Sequence, residues 1–176
     1  MAEITQMNSM IEIRKAQSED LGEILKIYSY ARQFMKRTGN PNQWRDSSPE
    51  EHLLVNDIAK GNLYLCLKDR EIVGSFAFII GEDHTYNYIE NGRWHSDQPY
   101  GTIHRLASNG KARGIGKACF DYCKSRMDYL RVDTHHDNKV MQRVIRANGF
   151  EQCGIIYIDD GTLRIAYDYL KTKKES

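Results

Sequence analysis

The run His104-Arg105-Leu106-Ala107-Ser108-Asn109-Gly110-Lys111-Ala112-Arg113-Gly114-Ile115-Gly116-Lys117 gathers glycines and cations where a β-rich stretch breaks into a loop and enters a helix. Glycines let backbone N–H groups approach an anion closely, a helix N-terminus adds partial positive charge, and Lys111, Arg113 and Lys117 add full charges. This is the chemistry of a phosphate cradle. The charge distribution agrees: 10 basic and 4 acidic residues lie between Gly101 and Phe150, against 15 and 20 in the rest of the chain. Spacing narrows the kind of phosphate. A nucleotide P-loop needs Gly, four residues, Gly-Lys and a hydroxyl residue, but here Lys111 stands at the first glycine and Ala118 at the hydroxyl. A dinucleotide fingerprint needs a third glycine where Cys119 stands, and it belongs early in a βαβ unit.

The other chemistry-bearing residues are less informative. His135-His136-Asp137 has metal-binding composition, but adjacent histidines at a strand end are expected to point in different directions and no further ligand is spaced for zinc. No metal is expected. Cys66, Cys119, Cys123 and Cys153 contain no C-x-x-C pair and sit in apolar stretches, which predicts buried thiols. Tyr86, Tyr88, Trp94 and Tyr100 crowd one polar region, and Phe34, Trp44 and His52 another.

These residues must be positioned by regular elements. Ile11 to Lys15 reads as a short strand, Ser18 as the cap of a helix carrying Leu21, Ile24, Leu25, Tyr28 and Ala31, and Arg37 to Ser47 as a loop. Ser48, Pro49 and Glu51 spell a capping box that opens a second helix. Leu63 to Leu67 and Ile72 to Ile80 predict an antiparallel hairpin, followed by a strand ending at Leu106 or Ala107. The pattern then alternates: a helix over 114–127, a strand over 130–134, a helix over 138–148, and strands over 154–158 and 163–170. The expected class is mixed α/β, a sheet of six to seven strands with helices on both faces.

Two motifs agree in order and spacing with one family. Lys111-x-x-Gly114-x-Gly116 resembles the R/Q-x-x-G-x-G/A loop of the GNAT superfamily of acyl-CoA-dependent N-acetyltransferases. Downstream, Asn138, Met141, Ile145, Gly149 and Phe150 fall at the places of that family's N-x-x-A-x-x-x-Y-x-x-x-G-F. The resemblance implies a mostly antiparallel sheet, acetyl-CoA as cosubstrate, and direct attack by a primary amine in a ternary complex. It places the pantetheine arm against Leu106, Ala107 and Ser108 and beside Asn138. The pyrophosphate falls on Lys111, Ala112, Arg113, Gly114, Ile115, Gly116 and Lys117. Two departures stand out: Ser108-Asn109-Gly110 makes a short strand-to-loop connection, and Ile145 replaces the tyrosine.

An alkylamine is almost entirely protonated at neutral pH, so a proton acceptor is useful. His104 is the titratable strand residue nearest the loop, sharing by alternation a face with Tyr100, Thr102 and Leu106. Glu90, Asp133 through water, or a merely structural His104 are the alternatives. Because Ile145 cannot donate a proton, Tyr157 or a water takes the place of the acid. The aromatic clusters, Trp44 among them, are expected to flank the acceptor. A non-catalytic CoA-binding regulatory module is the alternative function.

The chain as a whole sets bounds. Its 176 residues are 40% hydrophobic and 28% charged, with formal net charge +1, which predicts one domain over 10–171 with short tails 1–9 and 172–176. Near-neutral charge disfavours nucleic acid and anionic lipid as partners, and a small-molecule or peptide amine is the expected one. With no apolar leader or spanning run in the sequence, a cytoplasmic protein is expected, as a monomer or a homodimer.

Overall fold

The computed structural model describes residues 10–45 and 47–172, so the expected tails fall outside the described residues except for Thr172. Seven strands, β1 (Glu12–Lys15), β2 (Leu63–Lys68), β3 (Glu71–Ile80), β4 (Gly101–Ser108), β5 (Tyr129–Thr134), β6 (Glu151–Tyr157) and β7 (Leu163–Leu170), form one sheet in the order β1-β2-β3-β4-β5-β7-β6. Every neighbouring pair is antiparallel except β4 and β5. The expected class, including helices on both faces, is the one observed.

One face is covered by α1 (Leu21–Arg37) and α2 (Glu51–Ala59), the other by α3 (Ile115–Lys124) and α4 (Lys139–Ala147). In α1, Ile24, Ile27, Tyr28, Ala31 and Met35 recur at helical spacing and are buried, so the stripe that makes the segment a helix also docks it on the sheet. On the opposite face Cys119, Phe120 and Cys123 of α3 and Ile145 of α4 pack against Phe76, Phe78, Leu130 and Val132. All four cysteines are free and buried, as their apolar settings predict.

Two helix starts differ from expectation. Ser18 lies inside a 3-10 turn, Ser18–Asp20, entered from Gln17, whose backbone N–H donates to Asp20 Oδ2 at 2.8 Å. Ser48 does not cap α2: Ser48 O accepts from Arg32 Nη1 at 3.2 Å, the chain is still extended at Glu50, and the helix begins at Glu51. The Ser48 carbonyl is thus engaged by α1, and the helix starts two residues past the expected Pro49.

Candidate active site

The two parallel strands are hydrogen-bonded for only three residues, Gly101–Ile103 against Leu130–Val132. Beyond Ile103 they part. The cause lies in β4, where the pairing with β3 steps from Ala77↔His104 to Ser75↔Ala107 and Arg105 adopts φ +56°, so that β4 carries one extra residue. A bulge bends its strand and leaves edge N–H and C=O groups unpaired. Tyr28 of α1 fixes the bulge from one side, donating from its hydroxyl to Arg105 O at 2.7 Å. From α2, Asp57 takes Arg105 Nη2 at 2.6 Å, with both side chains largely buried. The bulge also resets the alternation: His104 stays on the α1/α2 face, whereas Leu106 packs with the α3/α4 core cluster and Ala107 with that of α1. The expected common face of His104 and Leu106 is therefore not formed.

The splay opens a cavity of about 870 Å³, lined on its strands by Thr102, His104, Arg105, Val132 and Asp133 and at its rim by Trp44, Asp159 and Asp160. His104 Nε2 lies 3.0 Å from Asp83 Oδ2. Burial works to raise the Asp83 carboxyl, but the bonds from His104 and from the Thr85 hydroxyl and amide overcome it and hold the group well below the usual carboxylate range. Asp133 accepts from Tyr86 at 2.6 Å and lies 3.9 Å from Arg164. Burial and the Asp133 charge push the Tyr86 phenol up, keeping it a donor. Among the described residues, six buried side-chain atoms have no hydrogen-bond partner, and four of them, Thr102 Oγ1, Thr134 Oγ1, Arg105 Nε and Arg164 Nε, belong to residues lining this cavity. An unpaired buried polar atom costs about 1–3 kcal/mol, so the polar residues around this cavity are held at a cost to stability.

The glycine loop follows directly from β4. Ser108 Oγ accepts from Gly110 N at 3.1 Å and Asn109 Oδ1 from Lys111 N at 3.0 Å, which fixes how the chain leaves the strand. Gly114, at φ +79°, is the N-cap of α3 and provides no side-chain cap, so the first-turn amides, Ile115, Gly116 and Lys117, face outward without an intrahelical partner. The exposed pairs Lys111–Glu71 and Lys117–Asp121 are the kind that exchange readily for a phosphate. Ala112 and Arg113, between them, line a concavity with Met10, Ile11 and Lys68. Gly116 has a different reason to be glycine: a Cβ there would lie 2.5 Å from Val144 Cγ1, so its smallness lets α3 approach α4.

The structure thus brings His104, Leu106 and Asn138 to one cavity and the 111–114 stretch to a second one. Asn138 is buried as the N-cap of α4, accepting from Met141 N at 3.0 Å while its Nδ2 donates to Gln43 Oε1 at 3.0 Å. Tyr157 does not join the cavity lining; it is 37% exposed and donates to Glu90 Oε2 at 2.8 Å. Ile145, in the tyrosine's place, is fully buried in the core. His135 and His136 do not point apart: their rings stack with centroids 4.3 Å apart, because the chain has left the strand and turned, so alternation no longer applies. Asp83 was not identified from the sequence; its Asp-x-Thr turn is a local signal, but nothing local pairs it with His104.

No protein-family model and no curated protein matches the sequence. Solved structures do. An acetyltransferase of the GNAT family from Streptococcus agalactiae is 29% identical, with TM-score 0.84 over 93% of this chain and 96% of that one. An acetyltransferase structure from Staphylococcus aureus is 23% identical, with TM-score 0.65 over 90% and 97%. A GNAT-superfamily phosphinothricin acetyltransferase from Sinorhizobium meliloti, in complex with AcCoA, is 15% identical, with TM-score 0.60 over 94% and 91%. The seven-stranded sheet with one parallel pair is thus a fold shared with solved acetyltransferase structures. The chain's structural neighbours include GNAT-family acetyltransferases, and they support acetyl transfer as the class of reaction.

Proposed function

We propose that the chain transfers an acetyl group from acetyl-CoA to a primary amine by direct attack within a ternary complex. The observation that carries this reading is the splay itself, which exposes the unpaired edge of β4 to the cavity where the His104–Asp83 pair lies. The residues present suit the cosubstrate. Open space at Gly114, where an added Cβ would meet no atom within 4 Å, and the first-turn amides of α3 would hold the phosphates, while Leu106, Ala107, Ser108 and Asn138 would border the pantetheine arm. When bound, acetyl-CoA supplies the activated thioester.

The remaining steps fall to the protein. Edge N–H groups of β4 between His104 and Ser108 are free to donate to the thioester carbonyl, stabilising charge that grows during attack. Asp83, held ionised, orients His104; a neutral imidazole donating from Nε2 keeps its lone pair on Nδ1 as the acceptor of the amine proton. Trp44, packed edge-on to Tyr28 with ring centroids 5.5 Å apart, would border the amine's side chain. Coenzyme A leaves as a thiolate of ordinary thiol acidity, so it can be protonated by water and no acid on α4 is required. The test is a thiol-release screen of amine classes with product masses determined. A product heavier by one acetyl group, dependent on acetyl-CoA, supports the reading; CoA binding without turnover of any amine refutes it in favour of a regulatory module.

A further inference from the structure

A second constellation lies farther along β7, apart from the cavity. His95, from the segment that precedes β4, meets Cys153 of β6 and Asp168 of β7, three residues far apart in sequence and from three separate pieces of chain. His95 Nδ1 is 2.6 Å from Asp168 Oδ1 and 3.5 Å from Cys153 Sγ. Cys153 and Asp168 are buried, while the His95 side chain is 38% exposed and leaves a path from solvent. A nucleophile triad is ruled out by the atoms involved: sulfur and carboxylate both face the same imidazole nitrogen, whereas a Cys-His-Asp relay uses the two different nitrogens. Three donors of different chemistry aimed at one point are what a metal ion requires.

We propose that His95, Cys153 and Asp168 bind a single divalent transition-metal ion of the zinc class, with water from the exposed side as the fourth ligand. The donor set of imidazole, thiolate and carboxylate suits this class rather than magnesium or calcium, which prefer oxygen alone. Tetrahedral zinc with bonds of about 2.0–2.3 Å separates its ligand atoms by about 3.3–3.7 Å. The sulfur–nitrogen distance of 3.5 Å already has this value, and the nitrogen–oxygen distance of 2.6 Å must open by less than about 1 Å. The supporting contacts are in place: Asp168 Oδ2 accepts from the His95 backbone amide and from Tyr129, each at 2.8 Å, which fixes the carboxylate. Arg131 stands behind Tyr129, its Nε donating to that hydroxyl at 3.2 Å, and its guanidinium is held against Trp94 and Tyr100. Two anionic ligands offset a dication beside this fixed cation.

Binding replaces the Cys153 S–H bond with a sulfur–metal bond and releases that proton to solvent; neutral His95 moves its proton from Nδ1 to Nε2 with no further release. Because the thiol must give up its proton to bind, metal binding strengthens as pH rises. The consequence is mechanical. The segment over 81–100 has little regular structure, a 3-10 turn at His84–Tyr86 and one bridge from Glu90 to Ile155, yet it carries Asp83 to the cavity and Tyr86 to Asp133. An ion at His95 pins this segment to β6 and β7.

The experiment titrates the metal-free full chain with Co²⁺ and then displaces it with Zn²⁺. The expected result is a thiolate-to-cobalt charge-transfer band in the near ultraviolet, saturating at one ion per chain, bleached by equimolar Zn²⁺ and accompanied by release of one proton. Cys153→Ser removes the band, His95→Gln weakens binding by at least about 100-fold, and His136→Ala leaves both unchanged. Asp168→Asn also disturbs Tyr129, so the test rests on the other two ligands. No band in the wild-type chain, a band that survives in Cys153→Ser, or one lost in His136→Ala overturns the proposal. Should Cys153→Ser not fold, absence of the one-proton release from the wild-type chain overturns it equally.

Discussion

The two faces of the sheet meet different demands. Toward α3 and α4, Phe76, Phe78, Phe120, Leu130, Val132 and Phe150 close over one another, and the aromatic pair Phe120–Phe150 has ring centroids 4.9 Å apart. Toward α1, α2 and the 81–100 segment, an apolar cluster around Ile24, Leu54 and Leu65 gives way to polar pairs: Asp57 with Arg105, Asp83 with His104, Asp133 with Tyr86 and, more distantly, Arg164. Burying a charged pair gains little over packing hydrocarbon there, and leaving polar atoms unpaired costs outright. The first face is therefore packed throughout, and the second gives up part of its apolar packing to hold a reactive geometry. Substitutions on the two faces should separate stability from activity.

The largest effect is expected at His104. His104→Gln keeps a hydrogen-bonding side chain but removes the proton acceptor, and kcat/KM should fall about 10²- to 10⁴-fold with little change in melting temperature. Asp83→Asn should lose less activity and should alter the acid limb of stability. The folded carboxyl of Asp83 is depressed, so its contribution is complete above the unfolded value near pH 4 and is lost as pH falls through the lower folded value. Urea midpoints of wild type and Asp83→Asn should thus differ by a constant amount above about pH 4 and converge below it. A difference that widens toward acid would contradict the ionised Asp83.

On the other face, Phe76→Ala removes a fully buried ring stacked on Tyr64 and should cost about 3–5 kcal/mol in denaturant unfolding, while turnover per folded molecule stays near wild type. A selective loss of turnover in folded Phe76→Ala would erase the contrast between the faces.

Two glycines of the loop test the same contrast at a shorter range. Gly114 has open space but φ +79°, and Gly116 has ordinary φ but no space. Gly114→Val should reduce CoA affinity by about tenfold or more by calorimetry, because a β-branched residue resists that backbone. Gly116→Ala should instead lower stability by about 1–3 kcal/mol through overpacking against Val144. Exchanged outcomes would move the phosphate site away from Gly114.

The difference between the faces also explains what the sequence discloses. Apolar periodicity in α1, α3 and α4 and the β-rich runs of β2, β3 and β7 depend on nearest neighbours along the chain, so those elements and the glycine loop are legible within a few residues. The cavity is not. Asp57, Asp83, His104 and Arg105 meet only because β4 bulges at Arg105, and a single added residue reverses every later assignment of face, as it does for Leu106. Ser48 shows the same limit at a helix start, where its carbonyl meets Arg32, 16 residues away, and the helix begins at Glu51 despite a plausible local cap. Trp44 was legible as an apolar residue in a polar loop, and its position at the rim sets a smaller prediction. Trp44→Ala should raise the acceptor KM about fivefold to tenfold and leave the acetyl-CoA KM nearly unchanged.

The smallest effect is expected at Tyr157. Its hydroxyl donates to Glu90 beside Tyr88, which donates to the same carboxylate at 2.7 Å, so Glu90 keeps a partner when Tyr157 is lost. The bond to Glu90 raises the Tyr157 phenol, and the bonds from Tyr88 and then Tyr157 lower the Glu90 carboxyl, so across neutral pH the pair stays phenol and carboxylate, and the hydroxyl is directed at Glu90 rather than at a leaving group. Tyr157→Phe should therefore leave kcat within about twofold, and its kcat/KM profile at saturating acetyl-CoA should superimpose on that of wild type up to about pH 9.5. Both profiles should rise as the amine loses its proton. If instead wild type shows a descending alkaline limb that vanishes in Tyr157→Phe, with kcat falling by two orders of magnitude or more, then Tyr157 reaches the leaving thiolate during turnover. The 81–100 segment would then have to release Tyr157 from Glu90 when substrates bind, and the polar face would owe its geometry to a rearrangement rather than to contacts already made.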